Sequence, residues 1–190
     1  RIARAMQPDE IKSWRRAERT RLVAAREALP AQTVEQFRHA IDSHLERGFP
    51  GLRSAVLAFC WPIRNEYDAR HLAKTLRDAG ALTALPVVVA PKTPLLFREW
   101  HPGVALAEGP LGIPYPADSR AVAPRAVLLP MNGWDAQGYR LGYGGGFFDR
   151  TLAAAQEKPL VIGVTYEMAR MVTIHPQSWD VPVDYVVTER

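Results

Sequence analysis

The chain has 190 residues, 47% of them apolar and 23% charged, which suits one domain with a sizeable buried core. No run of 18 apolar residues and no signal-like apolar segment is present, and the single cysteine, Cys60, excludes an internal disulfide framework and a cysteine-rich zinc site; a cytoplasmic protein with no membrane association is expected. The net charge of +4 is uneven: residues 1–26 hold eight Lys or Arg against three acids, an excess of +5, so the remainder sums to −1. Without interleaved aromatics, this basic stretch reads as a solvated face or as cations aimed at an anionic substrate, and only third as a nucleic-acid patch.

In chain order, Pro8 with Asp9 and Glu10 starts a helix that runs through Leu29 and ends at Pro30. A second helix is predicted from Thr33 to Arg47 with Gly48 as terminator, its stripe of Val34, Phe37, Ile41 and Leu45 facing a core. Ser54 to Phe59 reads as a buried strand, and Tyr67 to Ala79 as a helix closed by Gly80. Further strands are predicted at Leu85–Val89, Leu95–Phe97, Val127–Leu129, Leu160–Val164 and Tyr185–Val187, with a last helix over Phe147–Ala155. His101 to Pro124, rich in Pro and Gly, is expected to be a long ordered loop. Strands alternating with helices imply an α/β fold: a three-layer α/β/α, Rossmann-like, mainly parallel sheet in a single domain, with a helical segment over 1–48 and the sheet-containing body over 53–190.

Residues 138 to 150, GYRLGYGGGFFDR, are the most informative stretch. Gly142, Gly144, Gly145 and Gly146 give up side-chain packing so that backbone N–H groups approach a ligand, and bare N–H groups beside Arg140 suit a phosphate. The run lacks the Gly-Lys-Ser/Thr ending of a P-loop and the spacing of a dinucleotide fingerprint, so on residues alone a purely structural turn before a helix is equally open. In an open parallel sheet, ligands collect where strands end, which places Trp61 and Glu66 near the glycine run and the N-terminus of the last helix. The five histidines form no defensible metal pair, Cys60 has no identifiable base, and Asn132-Gly133 reads as a turn.

The string GYRLGYGGGFFDRTL strongly resembles the signature of the 5-formyltetrahydrofolate cyclo-ligases, also called 5,10-methenyltetrahydrofolate synthetases. Lys12-Ser13-Trp14-Arg15-Arg16 looks like that family's basic helix, Glu66-Tyr67-Asp68 like its post-strand acidic segment, Leu111-Gly112-Ile113 like its mid-loop, and Asp180 to Asp184 through Glu189 like its C-terminal signature. The resemblance implies a carbon–nitrogen ring-forming ligase that uses ATP and Mg²⁺ to close 5-formyltetrahydrofolate to 5,10-methenyltetrahydrofolate. A monomer or weak homodimer acting on a small-molecule reduced folate is expected.

By that resemblance, Lys12 and Arg16, four apart on one helix face, would grip ATP phosphates together with Arg140 and the loop of Gly142, Tyr143, Gly144, Gly145 and Gly146. Phe147 and Phe148 would border both the nucleotide and the reacting formyl group, forming with Arg140 the catalytic set. Glu66 would accept N–H bonds from the pterin, with Trp61, Tyr143 and Phe147 stacking on it, and Asp149 and Asp180 would hold magnesium. Read without the family, Lys12 and Arg16 are solvated cations, Arg140 pairs with Asp135 or Asp149, Glu66 is a surface acid, Asp149 favours its helix dipole, Asp180 ends a turn, and one of Phe147 and Phe148 is core. The chain departs from the family at Phe147-Phe148, which lack a hydroxyl, at Tyr115-Pro116, around Pro124-Arg125 and near Ala169. These departures leave open a divergent paralogue that binds ATP and a pterin or other ligand without ring closure.

Overall fold

A computed structural model describes residues 5–190, so the first four residues of the predicted helical segment lie outside the described residues. Helix α1 spans Pro8–Glu27, with Pro8 in its first turn, acidic Asp9 and Glu10 following, and the Glu10 carboxylate accepting the Gln7 N–H at 2.6 Å. It stops two residues short of Leu29 because Asn65 reaches back, its Nδ2 donating to the carbonyls of Arg26, Glu27 and Leu29. Helix α2 spans Ala31–Gly48 and buries Ile41 and Leu45, as its apolar stripe predicts.

Strand β1 is Val56–Ala58, helix α3 Arg70–Asp78, β2 Leu82–Val87 and β3 Leu96–Glu99. The α3 helix starts three residues later than predicted because Asp68 turns the chain, its Oδ1 accepting the Arg70 N–H at 3.1 Å, while the Tyr67 hydroxyl donates to Asp42. Strand β2 begins three residues earlier than predicted, because the apolar run does not reveal that Thr83 is fully buried, its hydroxyl satisfied by the Trp100 carbonyl at 2.6 Å. The segment read as one long loop contains a hairpin of β4 (Leu106–Glu108) and β5 (Pro114–Pro116), whose tip places Leu111 and Gly112 at φ 60° and 69°. Its Pro and Gly content marks that tip rather than an absence of strands.

Next come β6 (Ala126–Pro130), a small antiparallel hairpin of β7 (Gly133–Trp134) and β8 (Arg140–Leu141), helix α4 (Phe147–Ala154), β9 (Leu160–Val164) and β10 (Tyr185–Val187). Asn132-Gly133 is therefore not a turn but the entry to β7; the reversal lies between Asp135 and Gly138. The main sheet has the order β10-β9-β6-β1-β2-β3, all parallel except β3 at one edge. Side chains alternate across it: Leu57 and Phe59 pack with Ile41, Leu45, Leu72 and Leu76 on the α2 and α3 face, and Ala58, Val127 and Leu129 pack with Leu152 on the α4 face. The three-layer, mainly parallel α/β/α architecture is thus present. Among the described residues, no helix is long and apolar enough to cross a membrane.

Taken in chain order, the parallel strands lie 2-1-3-4-5, so connections leave β1 and β6 toward opposite faces. A crevice opens at their carboxyl ends, which is where such sheets take ligands. Helix α1 flanks this end rather than either face, with Leu22 packed on Leu141 and Ile174.

One glycine holds the hairpin that carries Arg140. Gly138 has φ +86°, its carbonyl accepts the Val183 N–H at 2.9 Å, and an added Cβ would stand 2.8 Å from the Val183 carbonyl oxygen. Gly138→Ala is expected to cost about 2 kcal/mol through backbone strain and this clash, read as a lowered midpoint in urea unfolding.

Candidate active site

The crevice is a cleft of about 340 Å³ walled by the loop after β1, the end of β6, the β4–β5 hairpin tip, the segment between β8 and α4, one face of α1, and Trp179 and Asp180. It brings together Trp61, Glu66, Arg140, Gly142 to Phe148, Asp149 and Asp180 from three separate stretches of sequence. Much of the remaining wall is apolar, including Leu85, Ile63, Ile113 and Leu129. Leu111 and Trp179 stand at the cleft largely exposed.

The glycine loop owes its shape to two left-handed residues, Gly144 at φ +93° and Gly146 at φ +66°, the latter serving as N-cap of α4. The guanidinium of Arg19 lies over it, 3.6 Å from where a Gly144 Cβ would be, and Arg19 Nε donates to the Gly142 carbonyl. Among the described residues Arg19 meets no carboxylate. Burial, reinforced by the charge of nearby Arg15, pulls its guanidinium below the ordinary value, although arginine stays charged. A cation held this way beside a glycine loop and a helix N-terminus has the chemistry to receive an anion.

Arg140 is largely buried and settles the choice between its two candidate partners. Its Nη2 donates to Asp149 Oδ1 at 3.1 Å and its Nη1 to the Val181 carbonyl at 2.7 Å. Asp135 instead is fully buried and accepts the backbone N–H groups of Gln137, Tyr139 and Ile174. Asp149 Oδ1 also accepts the Val181 N–H at 3.0 Å, which places it one residue from Asp180. Asp180 in turn pairs with Arg15 at 2.5 Å. No cluster of three or more His, Cys, Asp or Glu side chains suited to a metal occurs among the described residues.

On another part of the wall, Glu66 is only 6% exposed. Burial pushes its carboxyl above the ordinary value, opposed first by the charge of Arg26, whose Nη2 lies 3.7 Å from Oε1, then by the Ile63 N–H donated at 3.1 Å to Oε2 and the Tyr143 hydroxyl donated at 3.0 Å to Oε1. Burial and the Glu66 charge raise the Tyr143 phenol to about 12, so it stays protonated and remains a donor. Trp61 lies under the Arg70 guanidinium at 4.5 Å. Phe148 is the more core-like of the aromatic pair, packed toward Phe97, whereas Phe147 sits under the Arg150 guanidinium at 5.2 Å. Burial drives the Cys60 thiol far up its scale, so it is no nucleophile.

Lys12 and Arg16 are exposed on α1 and do not line the cleft. The neighbouring stripe does: Arg15 and Arg19 face inward, and Arg26 continues it two turns later. Arg15, Arg19 and Asn132 line the cleft and Arg26 backs its wall, and none of them is a predicted site residue, although Arg15 falls within the basic segment that resembles the family. Their signal was periodicity, since positions 15, 19, 22 and 26 share one helix face with buried Leu22.

Residues 11–189 match the 5-formyltetrahydrofolate cyclo-ligase family. The chain belongs to this family. It is 32% identical over 146 residues to the 5-formyltetrahydrofolate cyclo-ligase of Escherichia coli K12, covering 73% of this chain and 80% of that protein. It is 30% identical over 183 residues to the one from Mycolicibacterium smegmatis, covering 90% and 92%. Its fold resembles the NMR structure of Aquifex aeolicus 5,10-methenyltetrahydrofolate synthetase, with a TM-score of 0.80, 26% identity, and coverage of 93% of this chain and 90% of that one. Within the cyclo-ligase family frame, two of the departures, Phe147-Phe148 and Tyr115, line the cleft itself.

Proposed function

We propose that this cleft closes the imidazoline ring of 5-formyltetrahydrofolate at the expense of ATP, giving 5,10-methenyltetrahydrofolate, ADP and phosphate. The observation that carries the reading is the joining of two unlike recognition surfaces in one cavity: a glycine loop with Arg15, Arg19 and Arg140, and an apolar wall carrying a buried carboxylate at Glu66. A formamide oxygen is a poor leaving group. Transfer of the γ-phosphoryl to it makes phosphate the leaving group; N10 then adds to the activated carbon and gives up its proton to solvent, and the tetrahedral adduct expels phosphate as its C–O bond breaks.

The protein's share in this is alignment and charge. Arg19 and the amides of Gly142 to Gly146, at the N-terminus of α4, suit the triphosphate, and Arg140 suits the transferring phosphoryl. Lys12 and Arg16, on the outer face of the same helix, are left to phosphates that extend past the cleft mouth. Glu66 accepts N–H groups of the pterin while Tyr143, Trp61 and Phe147 offer it flat surfaces. Asp149 Oδ2 makes no bond among the described residues and would be free to take magnesium held mainly by phosphate oxygens, whereas the Asp180 carboxylate, held by Arg15 and the Gln177 N–H, would have to exchange those partners to join it. Bound there, the ion would neutralise phosphate charge. Since every group assigned comes from one chain, a monomer or weak homodimer suffices, and a cytoplasmic folate enzyme is the setting we propose.

Incubation of the protein with 5-formyltetrahydrofolate and MgATP is expected to develop the absorbance of the methenyl product, dependent on both substrates. ATP binding without any such product would sink the ligase reading in favour of a phosphate-ligand binding protein.

A further inference from the structure

Arg26 bonds to three parts of the cleft wall, yet does not itself line the cleft. From the last turn of α1, and 6% exposed, it donates from Nε to the Arg64 carbonyl at 2.8 Å, from Nη1 to Asn132 Oδ1 at 2.8 Å and from Nη2 to the Tyr143 hydroxyl at 3.0 Å. The same Nη2 is 3.7 Å from Glu66, to which Tyr143 passes its own proton bond. One guanidinium thus ties the loop after β1, the end of β6 and the glycine loop together.

Asn132 supplies a second observation. It lines the cleft at 3% exposure, and because arginine only donates, its Oδ1 must face Arg26 and its Nδ2 must point elsewhere. That Nδ2 is buried without any hydrogen-bond partner. A buried donor left unpaired is costly, and one in a binding wall is satisfied when a ligand brings an acceptor.

We propose that Arg26 is a positioning residue for substrate recognition: it holds Glu66 as an acceptor and, by occupying Asn132 Oδ1, leaves the Asn132 amide as an unspent donor in the cleft wall, so that together they read a heterocyclic edge bearing N–H groups beside a carbonyl. The inference rests on the reading that Glu66 meets the reduced folate, whose amino-pyrimidinone ring has such an edge. The groups around the Glu66 carboxyl are Arg26 from α1, Arg64 in its own loop, Tyr143 from the glycine loop, Cys60 at the end of β1 and Tyr166 after β9. Arg26 is the charge that most favours its ionised form.

The test is the pH profile of kcat/KM for 5-formyltetrahydrofolate at saturating MgATP, in the full chain. Arg26→Met is expected to move the acid limb up by about one pH unit and to raise the folate KM about tenfold below it, with kcat changed far less. Arg26→Lys, which keeps a cation beside Glu66 and so folds, is expected to leave the limb in place but to raise KM severalfold, because a single ammonium cannot hold Asn132 and Tyr143 at once. Asn132→Val should raise KM without moving the limb. An unmoved limb in Arg26→Met, or wild-type KM in both Arg26→Lys and Asn132→Val, overturns the proposal. Wild-type KM and limb in Glu66→Gln would instead overturn the underlying assignment of Glu66.

Discussion

Arg140→Ala is expected to lower kcat about 10²- to 10³-fold, the loss seen when one preorganised donor is removed from a developing negative charge. Arg140 is built for such a role. Its fork is fixed by the Val181 carbonyl and Asp149, so no side-chain freedom has to be lost when a phosphoryl group arrives. The same bonds make the variant less stable, since Asp149 loses its cation and the Val181 carbonyl loses a donor. Stability and chemistry are separated by assaying well below the melting temperature, with folding checked by circular dichroism. Arg140→Lys, restoring charge without the fork, is expected to recover the stability more fully than the rate. Activity that tracks only the folded fraction would make Arg140 a brace and nothing more.

The comparison with Asp149→Ala sharpens this. That variant leaves Arg140 still bound to Val181 but removes the carboxylate beside Asp180, so its turnover should fall and recover in part as the magnesium concentration rises. No such recovery is expected for Arg140→Ala, and that contrast would show the two partners of one ion pair acting on different parts of the nucleotide.

Most of the fold was legible because its signals are local. The β9 and β10 strands fall where short apolar runs lie between loop residues, and α2 follows its apolar stripe to within two residues. What misled the reading was polar or Pro-rich sequence whose meaning depends on distant partners. Thr83 can be buried in β2 because the Trp100 carbonyl seventeen positions on accepts its hydroxyl, and β4 and β5 are strands because they pair with each other. The site divides in the same way. The glycine loop announces itself, since positive φ at Gly144 and Gly146 demands residues without side chains. The cations of α1 do not: Lys12 and Arg16 share the spacing of Arg15 and Arg19, and only the burial of Leu22 tells which pair turns inward. Arg26 and Asn132 were invisible because each is ordinary alone, and they meet 106 positions apart in sequence.

Glu66→Gln is expected to reduce kcat/KM for 5-formyltetrahydrofolate about 10²-fold at neutral pH while leaving ATP affinity nearly unchanged. A carboxylate accepting N–H groups in a buried site is worth about 1.5–3 kcal/mol per bond, and glutamine both loses the charge and offers an N–H where an acceptor is needed. The pH dependence gives the assignment its sign. Burial places the Glu66 pKa above the ordinary value of 4.5, and only the ionised form accepts the pterin donors, so wild-type kcat/KM should fall as pH drops through that raised value. Glutamine cannot titrate, so its profile should lose that limb and the two enzymes should converge in acid. Folding carries the opposite mark: a carboxyl whose folded pKa is raised supports the fold below 4.5 and loses that contribution as pH rises through the folded value, so urea midpoints of wild type should decline over that window relative to the glutamine variant. A surface acid with no ligand would show neither the converging rates nor the diverging midpoints.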